Sequence, residues 1–263
     1  LQRTVQQVSD AVDAYRFDDA ANVTYQFFWT ELCDVYIESA KLAIEAPSTR
    51  ATLVHVLDTS MRLLHPICPF QTEEIWQRLP GRTERWPTTK FCATSPWPTV
   101  DAKLVDERAE REMAAVLEIV TSARNLRQES GLQPRSPVVV DVVSDEHLQK
   151  SDLELVRHLA ALKEIRAHKR AGYAPPKVAA VASNGMIDVV VHLEGLIDVD
   201  KEKARLAREI EKSKKEREAL EKRFANSEFV AKAPPDVVTE GRANLKAHAD
   251  RIERLGAALS RLA

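Results

Sequence analysis

The side chains that could do chemistry are few and poorly grouped for it. Seven histidines (His55, His65, His147, His158, His168, His192 and His248) include no HxH or HxxxH pair that would bring two imidazoles to one metal. Cys33, Cys68 and Cys92 form no CxxC and are too scattered for a zinc site or a disulfide framework. They fit a reduced, cytosolic compartment. Cys33 stands among Trp29, Leu32, Val35 and Tyr36, the setting of a buried, inert thiol. The carboxylate pairs Glu73-Glu74 and Glu31/Asp34 sit on helical stretches, where charged faces are ordinary. No GxSxG nucleophile elbow occurs.

Phosphate-cradling loops are excluded as well. Such loops need glycines about two to five residues apart, so that backbone can approach the ligand. The chain has only 7 glycines in 263 residues. Gly81, Gly131, Gly172, Gly185, Gly195, Gly241 and Gly256 are all farther apart than that. Scarce glycine also favours long helices over turn-rich β architecture. No apolar run is long enough for a membrane span.

What remains is positive charge. Arg124 and Arg127 fall three apart near a helix end, with Arg135 beyond the break. They read either as favourable charge at a helix C-terminus or as a phosphate-contacting cluster. Residues 200–263 hold 16 Lys and Arg against 12 Asp and Glu, and residues 1–199 hold 22 against 28. The net charge of −2 thus conceals an acidic body and a basic tail. The tail's candidates for RNA contact are Arg205, Arg208, Lys212, Lys215, Lys222, Arg223, Arg242 and Lys246. Glutamates interleave with them at helical spacing, which also fits a solvated, salt-bridged helix.

The elements that must carry these residues follow from periodicity. Leu1, Val5, Val8 and Val12 form one helical stripe. The stripe begins at the first residue, with no initiator Met, which reads as a piece of a longer protein. Asp18 or Asp19 can cap a second helix running to about Ile44. Ser48 can cap a third, which Pro66 stops, and Pro69 fits the first turn of a fourth. Residues 80–98, rich in proline, read as an extended connector. Asp101 opens a long helix ending near Gly131. Val138–Val143 then reads as a strand and Ser151–Leu162 as a helix. Val178–Ala182 and Ile187–Leu193 form a hairpin around Asn184-Gly185.

From residue 199 a charged helix runs to about Phe224, and Pro234-Pro235 break the chain. Val238, Leu245, Ile252 and Leu259 then recur every seventh residue, with Leu255 and Leu262 three residues after the last two, as in a coiled-coil seam. The first helix answers with Val199, Leu206, Ile210, Leu220 and Phe224, interrupted by Ser213 and Arg217. An antiparallel hairpin is the simplest arrangement.

Several stretches together resemble the class Ia aminoacyl-tRNA synthetases, and among them the valyl-tRNA synthetases. They are Tyr15-Arg16-Phe17-Asp18, Tyr25-Gln26-Phe27-Phe28-Trp29, and Glu31-Leu32-Cys33-Asp34 through Tyr36 and Glu38 to Lys41. Leu63-Leu64-His65-Pro66, Pro69-Phe70-Gln71-Thr72-Glu73-Glu74-Ile75-Trp76, Trp97-Pro98 and Arg124-Asn125-Leu126-Arg127 continue the likeness. Leu193 to Asp198, and Phe229-Val230 through Ala233-Pro234 to Val237-Val238, resemble the start and bend of the family's terminal coiled coil. The HIGH and KMSKS signatures of that family are absent.

The resemblance implies a mainly α chain in three parts. Residues 1–133 would form a helical anticodon-binding bundle, 134–198 a small α/β module, and 199–263 a coiled-coil tRNA-binding arm. The parent would be a valine–tRNA ligase using ATP and Mg²⁺, while this stretch would itself hold no catalytic residue, metal or cofactor. Its partner would be the tRNA for valine, with no membrane or DNA partner, and it would be cytoplasmic and monomeric. The rival readings are an isoleucyl or leucyl relative, or a helical scaffold with a protein-binding coiled coil.

Overall fold

The computed structural model describes residues 1–146, 148–225 and 235–261. The expected bend from Phe229 to Pro234, Leu262 and the side chain of Val238 lie outside the described residues. The chain forms two compact units, Leu1–Ala115 and Val116–Ala263.

In the first unit, α1 (Gln2–Asp13) buries Val5 and Val8 of the expected stripe, at 1% and 2% exposure. The helix ends where the Arg16 amide bonds Ala11 and the Tyr15 amide bonds Val12, a Schellman closure. Tyr15 occupies its left-handed position, at φ 58°, where glycine is usual.

α2 (Phe17–Gln26) runs on into a π-helical stretch, Phe27–Ile37. A short α turn, α3 (Glu38–Ala40), and a 3-10 turn (Lys41–Ala43) complete it. The side chains show the change of pitch. Ala20, Thr24 and Phe27 are buried at α spacing, and the next buried residue, Leu32, comes five later.

α4 begins at Pro47 itself (Pro47–Leu64), so Ser48 lies within its first turn instead of capping it. Proline suits that place because the first helical amides need no partner. α5 (Pro69–Gln77) starts the same way. Leu63 of α4 joins Val5, Val8, Ala11 and Ala20 in one core cluster. Met61, Trp76, Leu79 and Cys92 form another.

The proline-rich connector is not simply extended. It contains α6 (Arg82–Arg85) and a 3-10 turn at Cys92–Thr94. Asp58 of α4, 2% exposed, draws it in. One carboxylate oxygen accepts the indole N–H of Trp76 and of Trp86, each at 2.9 Å. The other accepts Arg62, whose guanidinium also reaches the Pro96 carbonyl and stacks on Trp86. Farther on, Trp97 donates to Ser9 and the Asp101 amide to Gln2. Asp101 caps only a 3-10 turn (Ala102–Leu104). The long helix α7 (Glu107–Glu129) starts later, where Asp106 accepts the amides of Arg108 and Ala109.

In the second unit, α7 buries Val116, Ile119, Val120, Ala123 and Leu126. A four-stranded sheet follows, in the order β2-β1-β4-β3. It consists of β1 (Val139–Ser144), β2 (Glu164–His168), β3 (Ala179–Ser183) and β4 (Ile187–His192). β1 pairs parallel to β2, with α8 (Lys150–Leu159) between them in sequence, and antiparallel to β4. Sequence reasoning passed over β2, an exposed edge strand whose alternating charges hide its pattern. The β3–β4 hairpin turns at Gly185 and Met186, with Gly185 at φ 91°. Asn184 steadies the turn by accepting two amides instead of occupying its centre.

α9 (Val199–Ala225) and α10 (Pro235–Arg261) pack against each other along the expected seam. Glu209 pairs with Arg251 at 3.1 Å and, seven residues on, Glu216 pairs with His248 at 3.7 Å. The partners advance in opposite directions, so the helices are antiparallel. Leu206 and Ser213 are buried at 4% and 1%, and the ring of Phe224 lies against Gly241, where a larger residue would collide. The interruption at Ser213 is therefore part of the seam.

Candidate nucleic-acid interface

Arg124, Arg127 and Arg135 do not form one exposed cluster. Arg127 is 2% exposed, and its guanidinium donates to the carbonyls of Pro134 and Ala160. Burial, with the adjacent Arg124 charge, pushes its pKa down. A phosphate cannot reach it, so Arg127 is corrected to a structural tie between α7, the loop after it and the end of α8. Arg124 is exposed, with one N–H on the Leu159 carbonyl at 2.6 Å, and Arg135 is exposed. The i,i+3 spacing of Arg124 and Arg127 could not separate the two roles, because one lies on the helix flank and the other on its buried edge.

On α9, Arg208, Lys212, Lys215 and Lys222 are exposed. Their spacing of four, three and seven residues draws one stripe along the helix, on the side away from Leu206, Ser213 and Leu220. Glu218 pairs with Lys222 at 2.7 Å and Glu216 approaches Lys212 at 4.0 Å. Arg208 and Lys215 have no acidic partner among the described residues. Arg205 is half-buried and bound to Glu209 and the Glu129 carbonyl, so it braces the root of the helix. Arg223 is exposed but engaged within the protein. Arg242 and Lys246 are exposed on α10.

The first unit adds side chains that periodicity missed. Tyr15 is 82% exposed and stands edge-on to Phe17, with ring centres 6.1 Å apart. Tyr25 and Trp29, 59% and 56% exposed, lie nearly parallel with ring centres 6.5 Å apart. A signal was present. Tyr25 and Trp29 are four apart and out of phase with the buried positions Ala20, Thr24 and Phe27. Unstacked nucleobases bind such planes.

Of the carboxylate pairs, Glu73-Glu74 has structural occupations. Glu73 accepts the Cys92 amide at 2.9 Å and Gln77 at 2.7 Å, and Glu74 pairs with Arg78. Cys33 is half-buried instead of fully buried, and that burial still pushes its thiol pKa up. No group of three or more metal-ligating side chains is disposed to hold an ion among the described residues. No helix among them is long and apolar enough to cross a membrane.

Comparison with known proteins agrees with this arrangement. Residues 1–143 match the family described as the anticodon-binding domain of tRNA ligase. Residues 198–263 match the valyl tRNA synthetase tRNA binding arm. The chain is 38% identical over 258 residues to valine–tRNA ligase from Thermotoga maritima, covering 97% of this chain and 29% of that protein. The enzyme of the same name from Cereibacter sphaeroides is 38% identical over 268 residues, 99% of this chain and 26% of the relative. That from Geobacillus stearothermophilus is 37% identical over 273 residues, 100% and 30% respectively. The chain thus spans less than a third of each of these relatives. It belongs to the family of the anticodon-binding domain of tRNA ligases, and its C-terminal residues match the valyl tRNA synthetase arm.

Proposed function

We propose that the chain is the tRNA-gripping part of a cytoplasmic valine–tRNA ligase. The parent would join valine to its tRNA at the expense of ATP, with Mg²⁺, in a part of the protein beyond this sequence. Functionally the chain divides into a bundle (1–133), a module (134–198) and an arm (199–263), and it acts as a monomer. The arm lies along the RNA backbone through Arg208, Lys212, Lys215 and Lys222, with Arg242 and Lys246 on its other helix. Contacts of this type position the RNA without reading it. Arg124 and Arg135 add phosphate contacts near the module. Base reading falls to the bundle, where Tyr15, Phe17, Tyr25 and Trp29 offer open rings to unstacked anticodon bases.

The observation that carries this reading is the pairing of two surfaces in one chain, an exposed aromatic face and an exposed cationic stripe. The first suits bases and the second suits phosphates. A protein-binding scaffold would have no use for exposed stacked rings and a cationic stripe together. The test is a titration of the 263-residue chain with valine tRNA and, separately, isoleucine tRNA. Tighter binding of valine tRNA is expected. Equal binding would remove the valine assignment, and binding to neither would remove the RNA reading.

A further inference from the structure

We propose that an open cavity on the outer face of the sheet is a phosphate-binding site, built from His168, Lys169 and His192 and backed by Asp141. The cavity, about 420 Å³, lies between the strands and the segment joining β2 to β3. Residues 144–197, which supply all three ligating side chains, fall outside both family matches.

The register explains the convergence. Asp141 on β1 faces Arg166 on β2 and Val190 on β4. His168 and His192 each lie two residues further along their strands, so alternation puts both on the same face as Asp141. His192 Nε2 lies 2.8 Å from one Asp141 oxygen, which also accepts the Tyr173 hydroxyl at 2.9 Å. His168 Nε2 lies 3.4 Å from the other. Asp141 is 4% exposed at the back of the cavity, where its carboxylate orients the His192 ring. Carboxylates behind ligating histidines fix ring orientation and raise basicity in the same way.

His192 is held at Nε2 and His168 only approaches Asp141, and neither Nδ1 has a protein partner among the described residues. Lys169 is exposed and has no acidic partner among them. The remaining charges nearby are taken. Arg166 pairs with Glu164 at 2.7 Å, and Arg170 pairs with Asp188 at 3.0 Å and reaches Asp145. Tyr173 is held neutral by burial and by Asp141, which push its pKa up.

Two imidazoles and the Lys169 ammonium thus converge on the cavity, with one carboxylate shared behind the rings. A compact anion with several acceptor oxygens answers that geometry, and a phosphate group is the chemistry that fits. It can come from an RNA backbone or from a free phosphate ester.

The experiment is an NMR titration of the whole chain with inorganic phosphate, reading the imidazole nitrogens. Saturable shifts of both His168 and His192 are expected as phosphate is added. The exposed variant Lys169→Glu is expected to bind about fivefold more weakly with an otherwise unchanged spectrum. Silence of both imidazoles, or shifts that Lys169→Glu leaves unaltered, overturns the proposal. Added RNA duplex that displaces phosphate from both rings assigns the site to RNA backbone, and failure to displace it assigns the site to a free phosphate ester. Because the site is first read with phosphate and no tRNA, the tRNA reading stands or falls separately.

Discussion

Asp58 shows how much of the first unit rests on one carboxylate. It receives two indoles and a guanidinium in a site closed to water. Removing a buried charge partner costs about 3–5 kcal/mol, because the groups left behind keep their desolvation cost. Asp58→Ala is therefore expected to lower unfolding free energy by that order in a denaturant titration of the first unit's tryptophan signal. A loss of only a few tenths would mean the hub is replaceable. Trp29 is the opposite case, since its ring is exposed and supports little of the fold. Trp29→Ala is expected to leave the denaturation midpoint in place and weaken tRNA binding by about 1–3 kcal/mol, the worth of one stacked base. Equal affinity would remove Trp29 from the RNA face.

The same residues mark the limit of sequence reading. Asp58 and Arg62 read as an ordinary i,i+4 pair, and the two indoles that complete the site come from 18 and 28 positions away. Arg127 looked like its neighbour Arg124 because burial on a helix edge is decided by the elements that pack there. Tyr15 sits in a conformation that costs a non-glycine residue about 1 kcal/mol or more. Strain of that kind is invisible in a one-dimensional pattern.

At the scale of elements, what periodicity could see was mostly found. The α1 stripe, the long α7, the β-hairpin and the heptads of α9 and α10 all carry their signal in residue spacing. What it missed had no period to offer. β2 interleaves Glu164, Arg166 and His168 with Ile165 and Ala167 at a sheet edge and fully buries none of them, and the π-helical stretch adds a residue per turn, which breaks the 3.6 phase. Two helix starts differ from the sequence reading, one because α4 begins at Pro47 ahead of Ser48 and one because Asp106 instead of Asp101 receives the first amides of α7. The sheet also has a pH dependence. Burial works against the charge on Asp141, but hydrogen bonds from His192 and Tyr173 and the two imidazole charges outweigh it and hold its pKa below the usual range. A depressed folded pKa stabilises above the unfolded value, about 3.9, and that contribution is lost as pH falls through the folded value. The gap in thermal midpoint between the native chain and Asp141→Asn is expected to close as pH drops below about 4. A gap that widens on acidification would contradict this.

At the scale of the whole molecule, charge and aromatic surface are divided between the units. The first unit presents the open rings, and the second carries the cationic stripe on α9. An RNA held by both would be read by one part and positioned by the other. Such binding has a salt signature, because each phosphate neutralised releases condensed counterions. The deciding measurement is the affinity of the 263-residue chain for valine tRNA across a range of salt, for the native sequence and for Arg208→Glu/Lys212→Glu/Lys215→Glu. The native chain is expected to lose affinity with a log–log slope of about −0.7 to −0.9 per phosphate contacted, and the triple variant to show a slope shallower by about two to three units. A flat salt response, or one that the triple variant leaves unchanged, would contradict the arm's role as the backbone grip.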